Sequence, residues 1–201
     1  MSEHSEAFVG LDTSKRRNAI AIADGGRDGE VRFFGEIENG TEATAKLVRK
    51  LAGKYERLTF CYEAGPTGYG LYRQITGLGH ACNVVAPSLI PKKPGDRVKT
   101  NRRDAVSLAR LLRAGELTAV WVPDEGHEAM RDLTRARDTA VNDLRAKRQQ
   151  VSALLLRLGR HYPHQRKTWT KAHMNWLASQ KFAHPQHRFI FEPPPENLWA
   201  I

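Results

Sequence analysis

Phe8-Val9-Gly10-Leu11-Asp12-Thr13-Ser14-Lys15 is an apolar run that ends in a carboxylate and a turn. Strand side chains alternate between faces, so Val9 and Leu11 share one face and enter a core, while Asp12 emerges at the carboxyl end. A carboxylate there can hold a metal. Asp, Thr and Ser also form turns by bonding their own backbone, and the stretch alone is compatible with either role.

The residues that follow supply a sheet for Asp12 to end on. Asn18 to Asp24 alternates small or apolar side chains and closes on Gly25-Gly26, a strand with a hairpin signal, and Val31 to Ile37 reads as the third strand. Ala45, Leu47, Val48, Leu51 and Ala52 then recur at three and four, a helix with Thr41 as its expected N-cap and Gly53 as its stop. Leu58 to Glu63 is a buried strand that ends, like the first, in a carboxylate. Ala64-Gly65-Pro66-Thr67-Gly68 breaks it, and a short helix from Tyr69 to Leu78 leads to the strand Ala81 to Val85. This order predicts an α/β fold with a mixed sheet and flanking helices. Asp12 and Glu63 then end adjacent strands on the rim where open α/β sheets carry their ligand sites.

Prolines 87, 91 and 94 make the next segment a loop, with Lys92, Lys93, Arg97 and Lys99 along it. A helix is expected from Lys99-Thr100-Asn101-Arg102-Arg103-Asp104-Ala105 to just before Gly115. Asp104 falls in its first turn, as a ligand or as an acid that merely complements the helix dipole. From Glu125 to Arg160 there is no proline, and Met130, Leu133, Ala140, Leu144, Val151, Leu154 and Leu158 keep a three-four spacing. One helix of about 50 Å follows from a rise of 1.5 Å per residue. Its seam, interrupted at Arg137 and Lys147, suits an arm that packs on a partner helix, in this chain or a second copy, or an ordinary packing helix with a solvated face. Trp169 and Trp176 stand among basic residues, where tryptophan either stacks on bases or packs on a helix. The domain plan is a metal-dependent domain over 1–122, the arm over 123–162, and a basic, then proline-rich tail over 163–201.

Charge divides the chain. Residues 1–90 carry 11 Lys+Arg and 11 Asp+Glu, whereas residues 91–201 carry 21 and 11 and supply the whole net charge of +10. A basic second half suits a polyanion or is simply a solvated basic surface; for a polyanion, Lys92, Lys93, Lys99, Arg102, Arg103, Arg145, Lys147 and Arg148 are the candidate contacts. No run reaches the length needed to span a bilayer, and the polar start lacks a secretory pattern; a cytoplasmic protein with no membrane partner is expected. Cys61 and Cys82 sit in apolar strand contexts without CxxC spacing, which fits buried thiols. The histidines show no metal-binding spacing.

Asp12, Glu63 and Asp104 together form a candidate catalytic set. Clustered carboxylates need a cation, and Mg²⁺ or Mn²⁺ with oxygen ligands supplies it. Gly10 to Lys15, Tyr62 to Gly68 and Lys99 to Ala105 resemble the three signature segments of the insertion-sequence transposases with a DEDD motif and a RuvC-like domain, the IS-one-ten family. The resemblance covers about residues 8–185. It implies a ribonuclease-H-like fold, a long helical arm, divalent metal, DNA transposition, and a structured guide (bridge) RNA as partner beside DNA. By position, the metal ligands would be Asp12, Glu63 and Asp104, with Asn101 where the family pattern often has a further aspartate; an amide oxygen there brings no charge. Family members continue into a second domain with a serine nucleophile, and this chain stops at Ile201. The expectation is therefore a truncated or frameshifted transposase, not recombination-competent alone, that forms a homo-oligomer through the arm. Two other readings stand beside it: a non-catalytic RNA- and DNA-binding remnant, and a sugar-kinase-like phosphotransferase with Glu63 to Gly68 as its phosphate loop.

Overall fold

Strand β1 (Glu6–Asp12) lies at the centre of a five-stranded sheet, and its neighbours explain its composition. In a computed structural model, which describes residues 5–91, 100–163 and 168–189, the chain folds as two compact units, Met1–Pro123 and Asp124–Ile201. The first contains β1, β2 (Arg17–Asp24), β3 (Val31–Glu38), helix α1 (Thr41–Ala52), β4 (Arg57–Glu63), α2 (Gly70–Gly77), β5 (Ala81–Val85), a single 3-10 turn at Pro87–Leu89, and α3 (Asn101–Ala114). The strand order is β3-β2-β1-β4-β5. β2 pairs antiparallel with both β1 and β3, whereas β4 runs parallel to β1 and β5 parallel to β4. This is the mixed sheet with flanking helices that the order of elements in the sequence predicts.

The two faces of the sheet are built differently. Val9, Leu11, Ile20, Ile22, Phe60, Tyr62 and Val84 pack with Leu47, Val48 and Leu51 of α1 and Ile75 of α2 in the main core. Burying each large side chain there contributes about 1.5–3 kcal/mol. Ala19, Ala21 and Ala23 form the other face and meet Ala105 and Ala109 of α3. Small residues on both sides let helix and sheet approach closely. The approach is tightest at Gly10: a Cβ there would press into the carbonyl oxygen of Ala105, 2.5 Å from the amide nitrogen of Ala109 and 2.9 Å from Cβ of Leu108. A glycine inside a strand marks such close backbone contact.

α3 is held at its far end as well. Arg113 donates to the carbonyl oxygens of Asp24 and Gly29, 3.2 and 2.5 Å away. Asp24 pairs in register with Ala7 at the start of β1, so α3 runs antiparallel to β1 and its first turn lies at the carboxyl rim of the sheet. Asp24 is itself buried, and its carboxylate accepts two bonds from Arg32 (2.6 and 3.1 Å) and one from the Tyr55 hydroxyl (2.7 Å). The bond to Asp24 holds the Arg32 guanidinium pKa above its usual value, and desolvation raises that of the Tyr55 phenol.

Two sequence expectations shift by a residue or two. Thr41 opens α1 instead of capping it; the cap position is Gly40, without a side-chain bond. Asp104 does not cap α3 either, because Thr100 accepts from the amide of Arg103 at 3.3 Å and takes that role. Gly115 ends α3 in the left-handed conformation at φ 70°, where glycine carries no Cβ penalty.

The second unit contains α4 (Glu125–Arg157), α5 (Lys171–Ala178) and α6 (Pro185–Phe189). α4 has 33 residues, about 50 Å at 1.5 Å per residue. Asp124 caps it, accepting from the amide and ring Nδ1 of His127, both at 2.8 Å, and the amide bond holds the Asp124 carboxyl below its ordinary pKa. Leu154 and Leu155 are buried, whereas Met130, Leu133, Val141, Leu144 and Leu156 are exposed. α5 and α6 are helices that the sequence reading did not anticipate. Among the described residues no helix is long and apolar enough to cross a membrane.

Candidate metal and nucleic-acid site

The register of β1 and β4 places the first two acids. Gly10 pairs with Cys61 and Leu11 with Tyr62, so Asp12 and Glu63 follow side by side at the ends of the two parallel strands. Gly10 and Cys61 both face α3, since Gly10 abuts Ala105 and the Cys61 thiol donates to the carbonyl of Leu108 at 3.7 Å. One alternation further on, Asp12 and Glu63 share that face. Asp104 precedes Ala105 by one residue in the first turn of α3. All three carboxylates are half-buried, and Asn101, the first residue of α3, is exposed.

The loops beyond the strand ends join on the same rim, where the Thr13 and Thr67 hydroxyls lie 3.3 Å apart. The Tyr62 hydroxyl donates to the carbonyl of Gly68 at 3.2 Å and ties the loop after β4 back to the core. The donors here are oxygens, the chemistry that a hard divalent cation takes. Among the described residues, however, no three His, Cys, Asp or Glu side chains are drawn together as a ligand cluster. The rim thus matches a hard divalent cation in donor type, with its acids side by side and not closed around a point.

The candidate basic contacts divide. Lys92, Lys93 and Lys99 lie outside the described residues. Arg102 and Arg103 are exposed in the first turn of α3, with the Arg102 guanidinium over the Phe33 ring at 5.3 Å. Arg145, Lys147 and Arg148 lie on α4; the first two are exposed and Arg148 is half-buried, its guanidinium 5.2 Å from the Trp169 ring.

Cys61 and Cys82 are buried free thiols, and burial pushes the Cys82 pKa up to about 12. His173 is buried between Tyr162, Trp169 and Trp176, and its Nδ1 accepts from the Trp169 amide at 3.1 Å. Desolvation lowers its pKa, which keeps the imidazole neutral. The sequence reading missed the dependence of Asp104 on Gly10 and Thr100. A glycine inside a strand pattern, and a threonine just before a helical run, were the signals available.

The sheet has two parallel strands that end in acids under a helix carrying a third, and comparison with known proteins gives the family. The family model described as Transposase, for DEDD transposases of the IS110 type, matches residues 9–159. The chain is 59% identical over its whole length to the transposase y4qE of Sinorhizobium fredii, covering 51% of that protein. It is 35% identical over 178 residues, 88% of this chain and 51% of the relative, to the transposase for insertion sequence element IS1533 of Leptospira borgpetersenii. Among solved structures, the large terminase nuclease from thermophilic phage G20c aligns over 63% of this chain and 62% of its own, at 16% identity and a TM-score of 0.35. The chain belongs to the IS110-type DEDD transposase family. It spans about half the length of the curated relatives it matches.

Proposed function

We propose that the first unit is the divalent-cation-dependent domain of a DNA transposase, with Asp12, Glu63 and Asp104 as metal ligands and Asn101 as a neutral fourth donor. The observation that carries the reading is the parallel register of β1 and β4, which sets two carboxylates side by side beneath the helix that bears a third. Carboxylate and amide oxygens are the donors that a hard divalent cation takes. Bound there, Mg²⁺ or Mn²⁺ would supply charge neutralisation and activation of an attacking oxygen at a phosphodiester. The chain's own groups would place the strand: Arg102 and Arg103 stand one turn or less from Asp104 and attract phosphates. Structured guide RNA and DNA are the proposed partners of the basic residues. A second copy is the proposed partner of the exposed apolar side chains Met130 and Leu133 of α4.

A non-catalytic RNA- and DNA-binding role is the second reading, favoured by the open arrangement of the acids. Calorimetric titration of Mg²⁺ and Mn²⁺ into the purified chain, with and without structured RNA, separates the two. Specific binding that Asp12→Ala or Glu63→Ala abolishes, with RNA affinity nearly unchanged, is the expected result, and Asn101→Asp should strengthen it. Equal loss of metal and RNA binding would sink the assigned roles. No metal binding in either condition selects the second reading.

A further inference from the structure

One face of α4 carries a groove of about 520 Å³ lined by Val141, Leu144, Arg145, Arg148, Gln149, Ser152 and Trp169. Its wall is divided by chemistry into an apolar part (Val141, Leu144, Trp169), two guanidinium groups, and two neutral hydrogen-bonding side chains. Trp169 has φ 66°, a conformation that non-glycine residues rarely take, and its amide is bonded to the buried His173. The indole itself meets the His173 ring edge-on, with ring centroids 5.2 Å apart. Arg148 lies over it, and Nε of Arg148 is buried without a hydrogen bond. Among the described residues neither Arg145 nor Arg148 has an ion pair, although the nearby Asp138 is engaged by Arg137 at 3.8 Å. Two guanidinium groups one helical turn apart thus face a groove with no carboxylate on its wall.

An apolar ring beside unneutralised cations is the complement of a nucleotide, whose base is flat and apolar on its faces and whose phosphate is anionic. From this we infer that the groove is a binding subsite for one unpaired nucleotide of a single-stranded nucleic acid. Arg145 and Arg148 take the phosphate, and the base packs against the apolar wall at Trp169. The site is built from residues of the second unit, and gives the arm a means of gripping a strand that charge alone does not provide. A helix from a second copy would fill the apolar half but leave both arginines needing acids. α4 offers few on this stretch, Asp143 being its only acid between Asp138 and Arg157. The inference rests on the proposed nucleic-acid reading, and its test must fail separately from it.

Fluorescence anisotropy of labelled twelve-nucleotide oligouridylate and oligothymidylate, titrated with the whole chain, provides that test. Arg145→Gln and Trp169→Leu should each weaken binding about tenfold, in the range of one charge contact or one stacked base. An oligomer with abasic residues should bind more weakly to the wild type and lose its sensitivity to Trp169→Leu. Trp169→Phe, which keeps a ring, should restore most of the affinity. Arg145 is exposed and packs no core, so its variant stays informative if Trp169→Leu disturbs folding. If the wild type binds neither strand, the nucleic-acid reading itself fails. If it binds and both variants match it, the groove assignment is wrong while the wider reading stands. If the variants change only the sedimenting mass, the groove belongs to a second copy and the inference is overturned.

Discussion

Single residues in this chain often gain their meaning from a neighbour that sequence spacing does not reveal. Asp104 reads equally as an acid that complements the helix dipole or as a ligand; Thr100, which bonds the Arg103 amide, takes the capping role and leaves Asp104 in the first turn, where both readings stand. His173 shows the same point with charge. It reads as one histidine among many, yet it is buried against three aromatic rings and accepts a bond at Nδ1, a role the protonated ring cannot fill. Its pKa in the folded chain is therefore depressed below the ordinary 6.5. Between the two values the unfolded chain holds a proton that the folded chain does not, so stability rises with pH there. The neutral ring's contribution is in full force above the unfolded value and is lost as pH falls through the folded one. We expect urea midpoints, followed by tryptophan fluorescence, to drop between pH 7.5 and 5.5 by more in the wild type than in His173→Gln. Equal drops would mean that other groups carry the acid sensitivity.

At the scale of elements, alternation and spacing made the five strands and the helices α1 to α4 legible, because each buries one face and so writes its period into the sequence. The short helices α5 and α6 were not legible, since α6 has five residues, too few to show a period, and α5 buries only His173 and Leu177. The depth at which α3 sits on the sheet was also hidden, because it depends on the absence of a side chain at Gly10 and on alanines that pattern reading counts only as weakly apolar. Gly10→Val should force the helix outward, at about 1–3 kcal/mol for overpacking, and carry Asp104 away from the strand ends. Thermal unfolding should shift downward and Mg²⁺ binding should weaken with it. Gly40, at φ −165° with nothing within 4 Å of a built Cβ, gives the matching control, since Gly40→Ser keeps a good cap residue for α1 and should leave Mg²⁺ binding unchanged without lowering stability. A Gly10→Val chain that binds metal as the wild type does would show that α3 contributes no ligand.

For the whole molecule, the uneven charge is the property most open to measurement. Binding that rests on neutralised phosphates weakens linearly with the logarithm of salt, with a slope of about 0.9 per phosphate on duplex DNA and about 0.7 on single strands. Replacing Arg102, Arg103, Arg145 and Arg148 by Gln should make that slope shallower by roughly one for each phosphate that an arginine no longer neutralises. An unchanged slope would remove these residues from the interface. The +10 total was evident from composition, and so was its location in the second half. Which arginines lie over aromatic rings was not, because the Phe33 ring beneath Arg102 and the Trp169 ring beneath Arg148 come from other segments of the chain.

The seating of α3 also sets a timetable. β1 and β2 can pair as soon as the first hairpin leaves the ribosome, whereas Glu63 joins Asp12 only after some fifty more residues, and Asp104 arrives last, across the longest loop closure in the unit. A nascent chain therefore carries a lone aspartate through most of its synthesis and completes its acidic rim only when nearly all of the first unit has emerged. Cation capture would then come at the end of that unit's folding, as a seal on a finished domain and not as a nucleus for an unfinished one.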